Sequence, residues 1–89
     1  AKKGFAPIAL GETKRAVLKV LGESGPMHGY GIWKALLHRF SLKLSMPTLY
    51  QHLQELEEMG LVRRLPPTKV GGRVRVCYEL TQKGAEALG

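Results

Sequence analysis

The sequence is poor in several groups that common protein classes require. Its 89 residues include a single cysteine, Cys77, which excludes an internal disulfide framework and a cysteine-rich zinc site. No apolar run approaches the roughly 20 residues that a transmembrane helix needs, and the first residues show no signal-peptide pattern. We therefore expect no membrane partner and a cytoplasmic location.

Acidic residues are also scarce. Seven Asp and Glu stand against fourteen Lys and Arg, which gives a formal charge of +7. No acidic residue occurs between Glu58 and Glu79. This balance favours a polyanionic partner, with nucleic acid ahead of an anionic membrane surface.

The residues that catalysis and metal binding use are not arranged for either. The Gly-Tyr-Gly segment at residues 29–31 lacks the third glycine of a dinucleotide loop and the Lys-Ser/Thr of a P-loop. We interpret it as the turn that begins a helix. The histidines are not spaced as local ligand pairs, and no serine or cysteine has a recognisable nucleophile context. We expect no enzymatic activity, no metal site and no cofactor.

The apolar content, 44% of the chain, is sufficient for one compact core and one domain. We divide the chain into an N-terminal arm, residues 1–10, and a folded domain, residues 11–89. The arm carries Phe5, Ile8 and Leu10, whose unexplained apolarity motivates the hypothesis that it docks on its own domain or on a partner subunit.

The spacing of apolar residues predicts three helices. The first begins at residue 11 and ends at Gly22 and Gly25, the second covers residues 30–40, and the third covers residues 46–59. The alternating residues 42–44 predict a short strand before the third helix.

The third helix carries its own start signals and an apolar stripe. Ser45 is predicted as its N-cap, and Pro47 is tolerated in the first turn because early helical amides lack partners. The stripe consists of three leucines at i, i+4 and i+7: Leu49, Leu53 and Leu56. If these face the core, Tyr50 lies on the flank of the helix. Four side chains then point outward: Pro47, Thr48, Gln51 and Gln54.

The remaining chain predicts a β-hairpin and a last helix. Residues 61–65 and 73–80 are expected to form strands, joined by residues 66–72, in which Gly71 and Gly72 supply the positive backbone angles of a hairpin tip. Thr81 is predicted to cap a short helix that runs to Leu88. The order of elements indicates an α+β fold of the winged helix-turn-helix type: a three-helix core, a short strand, a hairpin and a terminal helix.

This order places two DNA-binding elements side by side. A helix-turn-helix presents its last helix to the major groove, and a following hairpin can reach the backbone or the minor groove. Glutamine pairs with adenine, threonine contacts the thymine methyl, and a tyrosine hydroxyl reaches phosphate. Five cations without a nearby counter-charge in the sequence are predicted to bind phosphate: Arg63, Arg64, Lys69, Arg73 and Arg75. The alternative is that these residues are a solvated surface.

Four ordered motifs also carry a family resemblance: HGYGI at residues 28–32, PTLY at residues 47–50, LEEMGLV at residues 56–62 and YELTQKG at residues 78–84. Together they resemble the PadR family of transcriptional regulators over roughly residues 17–88. The resemblance implies a winged-helix repressor whose third helix enters the major groove and whose wing includes residues 69–75.

By motif position, the resemblance gives a DNA-contacting role to Ser45, Thr48, Tyr50 and Gln51. It also implies a homodimer, which such regulators usually form through C-terminal helices beyond the position of Gly89. We therefore consider the N-terminal arm as the dimer contact. Some such regulators bind small-molecule effectors, and the sequence leaves open whether this one does. Two other functions remain as alternatives: a protein-interaction module, and an architectural or partition protein that coats DNA.

Overall fold

The computed structural model describes residues 10–88. Most of the predicted N-terminal arm therefore lies outside the described residues, but Leu10 packs against the core. The helices and strands follow one another as α1 (Glu12–Ser24), β1 (Met27–His28), α2 (Gly29–Phe40), α3 (Met46–Glu58), β2 (Val62–Arg64), β3 (Thr68–Val70), β4 (Arg73–Arg75), β5 (Cys77–Leu80) and α4 (Gln82–Leu88). The α+β class and the winged helix-turn-helix arrangement are confirmed.

The first helix ends two residues later than one of its predicted stops. Gly22 lies inside α1, so the expectation that it ends the helix is wrong. The stop is Gly25, whose φ of 81° is easily reached by glycine and whose N–H donates to the carbonyl oxygen of Leu21. A Cβ at Gly22 would make only ordinary van der Waals contact with Leu80 and Leu88, so nothing in the structure requires glycine at this position.

The third helix has the predicted start and stop. The Oγ of Ser45 accepts a hydrogen bond from the N–H of Thr48 at 3.2 Å, and Pro47 lies in the first turn. At the other end Gly60 has a φ of 79°, and the N–H of Leu61 donates to the carbonyl oxygen of Leu56, as in a Schellman motif. These two caps fix the length of α3.

The predicted short strand at residues 42–44 is wrong. Burial does alternate there, since Leu42 and Leu44 are half-buried and Lys43 is exposed, but the backbone bonds go to α2. The N–H of Leu42 donates to the carbonyl oxygen of Leu36, and the indole Nε1–H of Trp33 donates to that of Leu44 at 2.6 Å. Residues 41–45 thus form the turn that joins α2 to α3.

The short strand of the fold is instead β1, which precedes α2. It forms one edge of an antiparallel sheet with the order β1-β5-β2. Met27 is paired with Tyr78 in this sheet, and Arg64 is paired with Tyr78 on the other side. The central strand β5 therefore connects the residues before α2 to those after α3.

The predicted continuous strand at residues 73–80 is divided in two. Residues of β4 pair with β3 in a separate hairpin, whereas β5 pairs with β1 and β2. Three residues separate Arg64 from Thr68, but only two separate their partners Tyr78 and Arg75. The segment between β2 and β3 is therefore one residue longer than the segment between β4 and β5. The prolines at residues 66–67 lack N–H groups and cannot continue the ladder. The register changes there, and the hairpin extends from the body as a wing.

The core lies between the three helices and the sheet. The leucine stripe of α3 is fully buried, as predicted, against apolar residues of α1 and α2. Thr81 caps α4 by accepting from the N–H of Gly84, where a Cβ would collide with the carbonyl oxygen of Leu61. Within residues 10–88, no helix has the length and apolarity needed to cross a membrane.

Candidate nucleic-acid interface

A cleft of about 420 Å³ separates the beginning of α3 from the base of the wing. Its walls bring together three of the predicted site residues, Tyr50, Arg64 and Arg75. A neighbouring depression shares Tyr50 and Arg64 and adds Gln54. The structure therefore places Tyr50 and Gln54, on the exposed face of α3, next to two of the arginines that the sequence predicted to bind phosphate.

The predicted outward face of α3 is solvent-exposed. All six residues expected to contact DNA in this segment are exposed: Ser45, Pro47, Thr48, Tyr50, Gln51 and Gln54. None of them carries a charge, so a polyanion can approach the first turns of α3 without meeting a carboxylate on these side chains.

Two of these residues, Ser45 and Thr48, form hydrogen bonds with each other. The hydroxyl of Ser45 accepts from the backbone N–H of Thr48 and donates to its Oγ1 at 2.8 Å. Ser45 therefore acts as the helix cap, and the proton that remains free on this pair belongs to the hydroxyl of Thr48. Of the two, Thr48 is better able to donate to a phosphate or a base.

The phenol of Tyr50 packs over the beginning of α2. A Cβ on Gly29 would require this ring to move, so the glycine allows the ring to lie directly against the backbone at the beginning of α2. Tyr50 remains 44% exposed, with its ring in the cleft. Gly29, which the sequence analysis interpreted only as a turn residue, thus contacts Tyr50, a predicted site residue.

The wing carries cations without carboxylate partners. Gly71 and Gly72 form its tip with φ values of 57° and 80°, as the sequence predicts. No carboxylate among residues 10–88 lies within ion-pair distance of Lys69, Arg73 or Arg75. These three residues are therefore available to an external anion.

The other two predicted wing cations have partners, contrary to expectation. Arg63 forms an ion pair with Glu79, its neighbour across the β2–β5 ladder. Arg64 lies 3.7 Å from the carboxylate of Glu57 on α3. Both arginines belong to β2 in the three-stranded sheet rather than to the hairpin. Acidic residues are absent from the sequence around these arginines, but the fold brings Glu57 of α3 and Glu79 of β5 next to them.

Burial and neighbouring charges shift two titratable groups in the cleft. Burial raises the pKa of Tyr78, and its hydroxyl therefore stays protonated at neutral pH. Burial lowers the pKa of His28, and the charge of Arg75 lowers it further. The neutral imidazole of His28 thus lies beside the guanidinium of Arg75 without competing for an anion.

Three cleft residues with polar side chains were not among the predicted site residues: His28, Tyr30 and Tyr78. Their signal was present in the motifs at residues 28–32 and 78–84. The topology that joins these motifs, β1 beside β5, was not predicted. Tyr30 is exposed and stacks on Trp33 with ring centroids 5.9 Å apart. In the described part of the chain, no group of His, Cys and Glu is arranged to hold a metal ion.

A family model described as the transcriptional regulator PadR-like family matches residues 17–89. The chain belongs to this family. The fold, the motifs and the match all coincide over the winged-helix domain. A search of curated proteins finds no match.

Several solved structures share the fold. A PadR family transcription regulator from Clostridium difficile is 28% identical with a TM-score of 0.77, and the match covers 88% of this chain and 80% of that one. RosR from H. salinarum is 28% identical with a TM-score of 0.72, covering 89% and 67%. Bacillus subtilis PadR, solved with operator DNA, is 24% identical with a TM-score of 0.74, covering 86% and 44%.

Proposed function

We propose that this PadR-family chain regulates transcription by binding double-stranded DNA rather than by catalysis. In this proposal the first turns of α3 enter the major groove and contact bases, while the wing lies on the phosphate backbone or in the minor groove. Because its proposed partner is chromosomal DNA, we propose the cytoplasm as its place of action.

One observation carries the proposal. Tyr50, on the uncharged exposed face of α3, lines a cleft together with Arg75, and the hairpin beyond it carries Lys69 and Arg73, which have no carboxylate partner within residues 10–88. A neutral face permits hydrogen bonding to base edges, and unpaired cations release counterions from phosphates. The two requirements of a sequence-preferring DNA-binding protein are thus met by adjacent elements.

We further propose that two copies bind an inverted repeat and repress by occupying a promoter. A two-fold pair of recognition helices requires half-sites about one helical turn apart, or a multiple of that distance. The family of transcriptional regulators supports the regulatory role. The fold shared with Bacillus subtilis PadR, which was solved with operator DNA, supports the docking arrangement.

Selection of bound duplexes from a random pool tests the proposal. We expect enrichment of a symmetric sequence and an affinity for it that falls as salt is raised. Recovery of duplexes without any shared sequence would indicate an architectural protein. A purified protein that retains no duplex at low ionic strength would contradict DNA binding and leave the protein-interaction module as the function to test.

A further inference from the structure

A lysine of α1 lies largely buried against α3. Lys14 has only 18% of its side chain exposed, although it is charged. Its Nζ lies 2.6 Å from Oε1 of Glu55 and donates to Nδ1 of His52 at 2.9 Å. A charged amine is buried at low cost only where partners replace water. These two contacts hold the ammonium at a fixed place between the helices.

The carboxylate of Glu55 connects this lysine to the exposed face of α3. While Oε1 contacts Lys14, the second oxygen, Oε2, accepts a hydrogen bond from Nε2 of Gln51 at 3.2 Å. The hydrogen bond from Lys14 lowers the pKa of Glu55, and the bond from Gln51 lowers it further. Glu55 is therefore ionised at neutral pH and acts only as an acceptor.

An acceptor at this place determines which way the Gln51 amide points. The Nε2 group must face Glu55, because the amide oxygen would meet a carboxylate of like partial charge. One N–H of Gln51 is then used, while the second N–H and Oε1 remain free. Adenine offers an acceptor at N7 and a donor at N6 in the major groove, and a glutamine pairs with both when its amide presents these two groups together.

We propose that Lys14 and Glu55 are specificity-determining positioning residues that hold the amide of Gln51 in one orientation for reading a base. The inference rests on the proposed DNA-binding function and deepens it. Neither residue needs to touch DNA, since both act through Gln51. Fixing a side chain before binding removes a cost that otherwise falls on the specific complex. Selectivity at one base pair is thus set partly from α1.

The test compares three single variants on selected and scrambled duplexes: Lys14→Met, Gln51→Ala and the control Lys19→Met. Lys19 is an exposed residue of the same helix, so its variant removes the same charge. We expect Gln51→Ala to lower the ratio of specific to scrambled affinity by about tenfold, as the loss of a bidentate pair predicts. We expect Lys14→Met to lower it by about threefold to tenfold and Lys19→Met to leave it unchanged.

A double variant separates positioning from general damage. If Lys14 acts through Gln51, Lys14→Met in the Gln51→Ala background causes no further loss of selectivity. Lys14→Arg, which can still donate to Glu55, is expected to restore the ratio. A readout without DNA is the pair of side-chain amide proton signals of Gln51 in NMR spectra. Their separation is expected to shrink towards that of a free amide in Lys14→Met, but not in Lys19→Met.

Thermal unfolding of each variant checks the fold, and Glu55→Ala replaces Lys14→Met if the latter does not fold. The inference is overturned if Lys14→Met, like Lys19→Met, leaves the ratio of specific to scrambled affinity unchanged. It is also overturned if Lys14→Met still lowers this ratio in the Gln51→Ala background, or if Gln51→Ala alone does not lower it. A wild-type protein that binds no duplex overturns the proposed function and this inference together. Selective wild-type binding with an unaffected Lys14→Met overturns the inference alone.

Discussion

The two elements that face the proposed DNA are built in opposite ways. Helix α3 is attached to the body through three fully buried leucines and the contacts of Lys14, and its first turn is closed by the Ser45 cap. The wing is a two-stranded sheet outside the main sheet, and its Val74 is 68% exposed. One element is held by packing and side-chain hydrogen bonds, whereas the other is held by its own ladder and a glycine turn.

This difference matches what each element must do. Base readout requires a side chain to be placed within a few tenths of an ångström, which a packed helix provides. Attraction to phosphates depends on charge and tolerates a loosely held position. We infer that mutations in α3 change which DNA is bound and that mutations in the wing change how strongly any DNA is bound.

The largest expected effect concerns the buried stripe. Leu53→Ala removes fully buried methyl groups and leaves a cavity beneath α3, so the free energy of unfolding should fall by about 2–5 kcal/mol. Val74→Ala in the wing should change it by less than about 0.5 kcal/mol. Urea denaturation of both variants measures this contrast. Equal losses would show that the wing is part of the cooperative core.

The next effect concerns the wing cations. Arg73→Ala combined with Arg75→Ala should reduce the magnitude of the salt slope by about 1.8 and lower the affinity for selected and random duplexes equally. The matched control is Lys19→Ala with Lys83→Ala, which removes two exposed charges from α1 and α4. Fluorescence anisotropy at several salt concentrations measures the slopes. A double-arginine variant that behaves like the control contradicts the assignment of the wing.

A smaller effect concerns the cap of α3. Ser45→Ala removes the acceptor for the N–H of Thr48 and should lower the free energy of unfolding by about 1 kcal/mol. Ser45→Asn should stay close to the wild type, since asparagine caps equally well. Thermal unfolding compares the two. If the alanine variant is as stable as the asparagine variant, the cap contributes nothing to stability.

The smallest effect is a pH dependence. Burial lowers the pKa of His52, and the charge of Lys14 lowers it further. The unfolded chain, with a histidine pKa of about 6.5, then binds the proton more readily than the folded one, and stability is lost as pH falls below that value. In His52→Gln, whose amide oxygen can accept from Lys14, the loss between about pH 7 and pH 5 should be smaller. An unchanged pH profile in denaturation experiments excludes His52 as a source.

Sequence reasoning succeeded where the signal is local. The leucine stripe, the Ser45 cap and the Gly71–Gly72 tip each depend on residues within two turns of one another, and all three are confirmed. The short strand was misplaced because the alternation at residues 42–44 does not show that backbone groups of this segment form hydrogen bonds with α2.

The candidate site was less predictable because its neighbours are distant in sequence. Arg63 and Glu79 are sixteen residues apart, and Lys14 and His52 are thirty-eight apart. Spacing along the chain contains no information on such pairs. The Gln51–Glu55 hydrogen bond follows from an i, i+4 spacing and could have been found, but its connection to α1 could not.

The most direct test of the account is the affinity of the wild-type protein for a selected duplex and for its scrambled form between about 50 and 200 mM salt. We predict that both affinities fall steeply with salt while the selected duplex remains preferred throughout, because charge supplies the shared part and α3 the difference. Binding that does not depend on salt, or no binding to either duplex at the lowest salt, would contradict it.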